Sequence, residues 1–240
     1  MAVVHLQMKD EVAIVTLDDG NANAFSFQLI EELMQKLDEV EEAGEAKALI
    51  LRGSDRLFSG GFDLKVMMGG VLEEVTKLVR RGRDVVFRLL NYFIPVITVC
   101  TGSAVAMGAI VLLASDVRIG VRSTKAKIGL NETKIGILLV PFGLELARYR
   151  LTQPSLHRAV TFATMYSPDK ACQIGYLDSV CDSVEECMKE AMREAIELAK
   201  LPREVYAAAK KRVNLPASEA IKAAEMRYNF WDKDGLLAKL

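Results

Sequence analysis

The chain has 240 residues, of which 51% are hydrophobic and 26% are charged, values typical of a soluble globular protein with one main domain. Lys and Arg number 31 and Asp and Glu 32, so no overall positive field favours nucleic acid or an anionic membrane. The four cysteines contain no C-x-x-C pair, which argues against common zinc sites. No secretory signal or membrane-spanning run is evident. We therefore expect a cytoplasmic protein without nucleic-acid, membrane or metal partners.

The first fifty residues alternate between strand and helix patterns. Residues 3–9 and 12–18 are rich in Val, Ile and Leu and predict a hairpin. Ser26 stands at an N-cap position before apolar residues at helical spacing, and Gly44 is a plausible C-terminal cap. Ala48–Arg52 is a short apolar run that predicts a buried strand. Strand, helix and strand in this order favour a crossover unit and an α/β class.

The middle of the chain continues the alternation. The predicted elements are a glycine-containing loop at 57–64, a helix at 71–92, a strand at 96–100, a small-residue loop at 102–108, an apolar helix at 109–114 and a strand at 116–121. The basic run at 80–83 is interpreted as an exposed helix face.

From about residue 184 the strand patterns stop and the chain is nearly all helical. Ser183 and Glu186 form a capping box, which predicts a helix to about residue 200. Pro202 and Pro216 are each predicted to open a further helical stretch. This region fits either an oligomer interface or a cover for the main core, and its larger aromatic and methionine side chains are Tyr206, Met226, Tyr228, Phe230 and Trp231. We expect a core at 1–183 and a helical region at 184–240.

Familiar catalytic constellations are missing. His5 and His157 have no sequence neighbours that suggest a nucleophile dyad or a metal site. Ser59 lies in L-F-S-G-G, which is not the G-x-S-x-G nucleophile motif. Residues 102–108 do not fit the dinucleotide-binding pattern, and no Walker A sequence is present.

Three segments remain as candidates for chemistry. In residues 57–65, two adjacent glycines allow backbone to approach a ligand closely, or they form an ordinary turn. In residues 102–110, small residues lead into a helix N-terminus that would stabilise negative charge, or they serve close helix packing. Glu132 precedes an apolar stretch that would raise its pKa and make it a base near neutrality; alternatively, it is a surface residue beside Lys134.

Taken in order, these segments resemble the crotonase (enoyl-CoA hydratase/isomerase) superfamily. The matching sequences are F-S-G-G-F-D-L at 58–64, S-D-V-R-I at 115–119, and Glu132 placed four residues before Gly136 and nine before Pro141. The resemblance covers essentially the whole chain. It implies a spiral of repeated strand–strand–helix turns and a C-terminal helical region that packs in homotrimers, sometimes paired into hexamers.

The resemblance also assigns roles to residues. It implies that the backbone N–H groups of Gly60 and Met107 form an oxyanion hole for an acyl-CoA thioester, a device that contributes roughly 3 kcal/mol per donor in other enzymes. It places Lys65 near the nucleotide end of coenzyme A and Ala24 and Phe25 at the adenine. The acyl pocket is expected to involve Phe62, Met67, Met107, Leu139 and Phe142. No cofactor is implied beyond the coenzyme A part of the substrate.

Two departures from the family pattern narrow the predicted reaction. Ala106 and Met107 stand where many members have glycine, and Ile110 stands where hydratases have a second Glu. A single carboxylate suits an isomerase that moves one proton from C2 to C4, and the Glu132 segment is especially similar to Δ3,Δ2-enoyl-CoA isomerases. Two alternatives stay open. One is hydration or thioester hydrolysis helped by a carboxylate such as Asp63 or Glu145, and the other is an acyl-CoA binder without turnover.

Overall fold

The computed structural model describes residues 2–227. Within them lie eight strands: β1 (Val4–Lys9), β2 (Val12–Leu17), β3 (Ala48–Arg52), β4 (Val96–Cys100), β5 (Ala104–Val105), β6 (Val117–Val121), β7 (Ile128–Gly129) and β8 (Ser179–Cys181). The α-helices of the same range are α1 (Phe27–Ala43), α2 (Leu64–Met67), α3 (Leu72–Leu90), α4 (Met107–Leu113), α5 (Pro141–Arg150), α6 (Gln153–Val160), α7 (Pro168–Ile174), α8 (Val184–Leu198) and α9 (Arg203–Arg227), with a 3₁₀ helix at Glu132–Ile135.

The predicted hairpin and first crossover are confirmed. β1 and β2 pair antiparallel, and β2 pairs in parallel with β3. Between them, the Ser26 hydroxyl accepts a hydrogen bond from the Leu29 N–H at the start of α1. Gly44 ends the helix in the left-handed conformation with φ 67°. The local capping chemistry therefore sets both ends of α1, as the sequence indicates.

A six-stranded sheet organises the molecule, in the order β1-β2-β3-β4-β6-β8. All pairs after the hairpin are parallel. One face packs against α1, α3 and α4 in the main core, and the other face packs against α8 through small side chains at Cys187, Ala191 and Ala195. Burial on both faces explains why β3 and β4 are continuous apolar runs instead of alternating ones.

A second, smaller sheet joins β5 and β7, which have two residues each. The sequence prediction placed β5 inside a loop. Strands this short bury too few side chains to leave a pattern, so the tertiary contacts decide their conformation.

The C-terminal helices differ from the prediction at one point. Pro216 does not open a new helix but lies inside α9, which runs without interruption from Arg203 to Arg227. A proline there removes one backbone hydrogen bond, and packing on both sides of it compensates. The Asn214 side chain donates to the Leu90 carbonyl at 2.7 Å, and Ile221 is fully buried.

The sequence analysis left open whether the C-terminal helices form an oligomer interface or cover the main core. α9 packs mainly on α5, with smaller contacts to α3 of the same chain. The Tyr206 hydroxyl faces this core, while the Met226 side chain is 79% exposed. Tyr228, Phe230 and Trp231, which the prediction included in the interface, lie outside the described residues. Trimer or hexamer assembly stays a prediction.

Between residues 2 and 227, no helix has both the length and the apolar character needed to cross a bilayer.

Candidate active site

The small sheet brings the three candidate segments together. The Ser59 carbonyl of the first segment accepts from the Val105 N–H of β5 at 2.9 Å. On the other side, the Ala106 N–H donates to the Gly129 carbonyl at the end of β7, also at 2.9 Å. Glu132 follows Gly129 by three residues. Segments that are 70 residues apart in sequence therefore share one hydrogen-bonded frame.

The turn at residues 59–62 is held from several sides. The Ser59 hydroxyl donates to the Asn23 carbonyl at 2.7 Å and accepts from the Gly61 N–H at 3.1 Å. Gly61 has φ 104°, a conformation that favours glycine. A Cβ atom at Gly61 would lie 3.1 Å from the Ala106 Cβ and 3.7 Å from the Met107 nitrogen. Gly61 therefore allows this turn to lie directly against the start of α4.

The first predicted oxyanion donor requires a correction. The Gly60 N–H already donates to the Ala22 carbonyl at 2.8 Å, so it is engaged within the fold. The neighbouring Phe62 N–H forms no hydrogen bond with any residue that the structure describes. In the bridge between Phe25 and Phe62, the bonds run from Phe25 N–H to the Gly61 carbonyl and from Asp63 N–H to the Phe25 carbonyl. The free N–H of this turn thus belongs to Phe62.

The second predicted donor agrees with the geometry. Met107 is the first residue of α4, and its N–H makes no hydrogen bond within residues 2–227. The preceding Ala106 has φ 50° and ψ −117°, a strained conformation for a residue with a side chain. The strained turn leaves the Met107 N–H beside Gly61, the residue that precedes Phe62.

Glu132 is a buried carboxylate at the start of the 3₁₀ helix, with 8% of its surface exposed. Its Oε2 atom has no hydrogen-bond partner in the described chain. Burial raises its pKa to about 7, opposed by a backbone hydrogen bond. A carboxyl group with this pKa exchanges protons readily near neutrality. The alternative that Glu132 is an ordinary surface residue beside Lys134 is wrong.

Apolar side chains dominate the surroundings expected for the acyl group. Ile110 is fully buried, and a Cβ atom at Gly143 would lie 2.7 Å from its Cδ1 atom and 3.0 Å from the Leu139 Cδ1 atom. Ile110, on α4, therefore faces Leu139 and the first turn of α5. Phe142 is fully buried, and Met67 and Leu139 are each 8% exposed. Phe142, Met67 and Leu139 are therefore buried, and their contact with an acyl chain stays a prediction.

The two carboxylates considered as replacements for a second base have structural partners. The Asp63 side chain caps α2 by accepting from the Lys65 N–H at 2.9 Å. The Glu145 carboxylate pairs with Arg148 at 2.6 Å. Asp63 and Glu145 thus each bind a partner within their own helix. Among the three carboxyl groups considered, Glu132 is the one that is buried.

The three residues predicted to contact coenzyme A differ in exposure. Lys65 is exposed and Ala24 is half-buried. The Phe25 side chain is fully buried in the core, so a contact with adenine would come from its backbone. A surface cavity of about 430 Å³ includes Phe27, Lys77 and Arg81 in its lining. Of these, the sequence analysis considered only Arg81, which it assigned to an exposed helix face.

Within the described part of the chain, no group of three or more His, Cys, Asp or Glu side chains is placed to hold a metal ion. The geometry instead combines two unpaired backbone N–H groups with one buried carboxyl group. Such N–H groups stabilise a developing oxyanion, and such a carboxyl group transfers protons.

Comparisons with known proteins point to one family. A family model described as enoyl-CoA hydratase/isomerase matches residues 7–230. A probable enoyl-CoA hydratase from Bacillus subtilis is 31% identical over 141 residues, which are 58% of this chain and 53% of that protein. The human mitochondrial enoyl-CoA delta isomerase 1 is 28% identical over 172 residues, 70% of this chain and 56% of the relative. The chain thus aligns with little more than half the length of these two relatives.

Solved structures agree with the sequence matches. The apo structure of an enoyl-CoA isomerase from Mycobacterium tuberculosis superposes with a TM-score of 0.88 at 31% identity, covering 100% of this chain and 99% of that one. This likeness confirms the predicted crotonase fold. From the family match, the shared fold and the assembled motifs, the chain belongs to the enoyl-CoA hydratase/isomerase family.

Proposed function

We propose that this protein is an acyl-CoA enzyme that shifts a double bond from 3-enoyl-CoA to trans-2-enoyl-CoA. The proposal rests on the combination of a buried carboxyl group at Glu132, whose Oε2 atom has no hydrogen-bond partner among residues 2–227, with an aliphatic side chain at Ile110. The human relative is described as an isomerase, and the mycobacterial protein named above is described as an isomerase in one structure and as a probable hydratase in another. The B. subtilis relative is described as a probable hydratase, so relatives by themselves do not choose between the reactions.

In the proposed mechanism, the Glu132 carboxylate removes a proton from C2 of the substrate. The electron pair of that C–H bond forms a C1–C2 double bond, and the carbonyl π electrons move onto the thioester oxygen. The Phe62 and Met107 N–H groups would stabilise this negative oxygen, with Phe62 taking the place predicted for Gly60.

The second half of the reaction returns the same proton. The oxygen re-forms its carbonyl, the C1–C2 electrons become the C2–C3 double bond, and the old C3–C4 π electrons take the proton at C4 from neutral Glu132. A pKa of about 7 suits a group that must both accept and give a proton at neutral pH. The isomerisation neither consumes nor releases water, and the apolar side chains of Ile110 and Leu139 favour the exclusion of water from the site.

Hydration is the second candidate, because one of the two curated relatives reported above is described as a probable hydratase. Adding water requires a group that deprotonates water as well as one that handles the α-proton. Ile110 cannot do this, and Asp63 and Glu145 are engaged in a helix cap and an ion pair. The structure therefore supports isomerisation better than hydration or thioester hydrolysis.

The experiment measures both reactions in parallel. A medium-chain 3-enoyl-CoA is incubated with the protein and the conjugated 2-enoyl thioester is followed by absorbance, while trans-2-enoyl-CoA is tested for hydroxyacyl-CoA formation. We expect isomerisation without hydration, and a loss of at least about 10²-fold in kcat for Glu132→Gln, as for removal of a general base.

Glu145→Gln is the matched control, because it makes the same chemical change at a carboxylate paired with Arg148. It should keep the isomerase rate. Full activity of Glu132→Gln would refute its role, and a hydroxyacyl-CoA product would show hydration. Acyl-CoA binding without turnover of either substrate would favour the binding-protein alternative.

A further inference from the structure

Gly82 occupies an unusual place in the middle of the 19-residue helix α3. Glycine in a helix interior is about 1 kcal/mol less favourable than alanine, so a packing reason is expected. Gly82 is buried and lies on the side of α3 that faces the active site. The sequence analysis had placed it within a basic, solvated helix face.

The space above Gly82 is filled by the side chains of both proposed oxyanion donors. A Cβ atom at Gly82 would lie 2.4 Å from the Phe62 Cζ atom and 2.5 Å from its Cε1 atom. The same Cβ atom would lie 3.3 Å from the Met107 Cε atom. Real Cβ atoms do not approach a ring carbon at 2.4 Å, so any other residue at position 82 requires the Phe62 ring to move.

We infer that Gly82 is a positioning residue: the absence of its side chain lets the Phe62 ring and the Met107 methyl group pack against α3 and so fixes the two backbone N–H groups beside them. This inference rests on the proposed use of these N–H groups as oxyanion donors. The turn at Phe62 and the start of α4 carry large side chains at both donor positions, and a buried glycine opposite them supplies the room. Position 82 thereby controls the oxyanion hole without touching the substrate.

The consequence for substitution is specific. A methyl group at Gly82 must displace the Phe62 ring, which is attached one residue after the tightly packed Gly61. Because the ring and the N–H belong to the same residue, a displacement of the ring that also moves its Cα atom rotates or translates the donor. A misplacement of about 1 Å at a catalytic group costs on the order of 10²-fold in rate.

The test is a double-mutant cycle of Gly82→Ala, Phe62→Ala and the double variant. We expect Gly82→Ala alone to lower kcat/KM for the 3-enoyl-CoA by about 10- to 100-fold and to lower Tm. In the Phe62→Ala background, where the ring is gone and the backbone N–H remains, Gly82→Ala should cost less than about threefold in kcat/KM and should raise Tm through its helix propensity.

A second readout reports the oxyanion hole without turnover. A 3-oxoacyl-CoA binds as an enolate when its oxygen is stabilised, and the enolate absorbance is measured in a difference spectrum for each variant. Gly82→Ala should weaken this signal in the wild-type background and leave it unchanged in the Phe62→Ala background.

The outcomes separate this inference from the proposed function. If the wild-type protein forms the enolate but does not isomerise, the proposed reaction fails while the cycle still tests Gly82. If Gly82→Ala raises Tm and keeps both the enolate signal and kcat/KM, or if its effects add independently to those of Phe62→Ala, the positioning role is overturned.

Discussion

Glu132 couples the chemistry of the site to the stability of the protein. Its pKa is raised from the ordinary 4.5 to about 7 in the folded chain because burial disfavours the charged form. The folded state therefore binds a proton more tightly than the unfolded state does. The contribution of Glu132 to the free energy of unfolding is therefore fully present below pH 4.5. It is lost as the pH rises from 4.5 through 7.

Glu132→Gln removes this dependence. At pH 8 we expect the variant to be more stable than the wild type by up to about 3 kcal/mol, since each pKa unit corresponds to about 1.4 kcal/mol. The difference should shrink as pH falls toward 4.5. Urea unfolding at the two pH values measures it, with Glu145→Gln as the control. A pH-independent difference would contradict the burial of an ionisable group at this position.

The same pKa sets the pH dependence of the proposed reaction. The base must be ionised before it removes the C2 proton, so kcat/KM should rise with pH and level off above an apparent pKa of about 7. The measurement is the initial isomerisation rate at low substrate between pH 5 and pH 9. A plateau that already begins near pH 5 would show that Glu132 is not the titrating base.

At the residue scale, sequence motifs predicted Glu132 as the base, and its burial and raised pKa agree with that prediction, but they did not predict Phe62 as the residue with the free N–H. The F-S-G-G-F segment predicts a ligand-binding turn, yet which N–H stays free depends on the bond from Gly60 to Ala22, 38 residues away. Gly82 was missed for a similar reason. Its neighbours in sequence are charged, and only the packing of Phe62 shows that this position faces the site.

At the scale of elements, the turn from β5 into α4 carries strain that a substitution can release. Ala106 has φ 50° and ψ −117°, a region that glycine enters much more easily than alanine. Ala106→Gly should stabilise the fold by about 1 kcal/mol, after allowing for the greater freedom of glycine in the unfolded chain. Thermal unfolding of the variant measures the change. Destabilisation would mean that contacts of the Ala106 methyl group outweigh the strain.

The long elements were predictable and the short ones were not. α1 and α3 follow from apolar spacing, and Ser26 and Gly44 mark the ends of α1. β5 and β7, which hold the site together, are too short to show any period. Pro216 was predicted to begin a helix because proline favours first-turn positions, but contacts from α5 and α3 maintain α9 through it.

On the scale of the whole molecule, α9 closes over α5, the helix that follows the Glu132 segment. A buried polar cluster fixes α9 to the main sheet. The Lys210 Nζ atom lies 2.6 Å from the Asp116 Oδ2 atom, which also accepts from the Tyr206 hydroxyl and the Val96 N–H, each at 2.8 Å. Asp116 belongs to the S-D-V-R-I motif that contributed to the family resemblance, and its carboxylate links β4, β6 and α9.

This cluster predicts a large difference between two ion pairs with the same separation. The Lys210 side chain is 3% exposed and its partner Asp116 19%, whereas Lys200 and Glu197, also 2.6 Å apart, are more than 60% exposed. Removing one member of a buried pair leaves an uncompensated charge, so Lys210→Met should destabilise the protein by about 3 kcal/mol. Lys200→Met should change stability by less than about 1 kcal/mol.

Urea unfolding of the two variants tests the comparison, and Lys210→Met combined with Asp116→Asn shows the cause. The neutral double variant keeps the Tyr206 and Val96 donors opposite an amide oxygen, so it should recover part of the loss if the buried charge is responsible. If the double variant is no more stable than Lys210→Met, the loss comes from packing of the lysine stem. In either case a destabilised Lys210→Met protein should lose isomerase activity at lower urea concentration than the wild type, because α9 and the Glu132 segment both pack against α5.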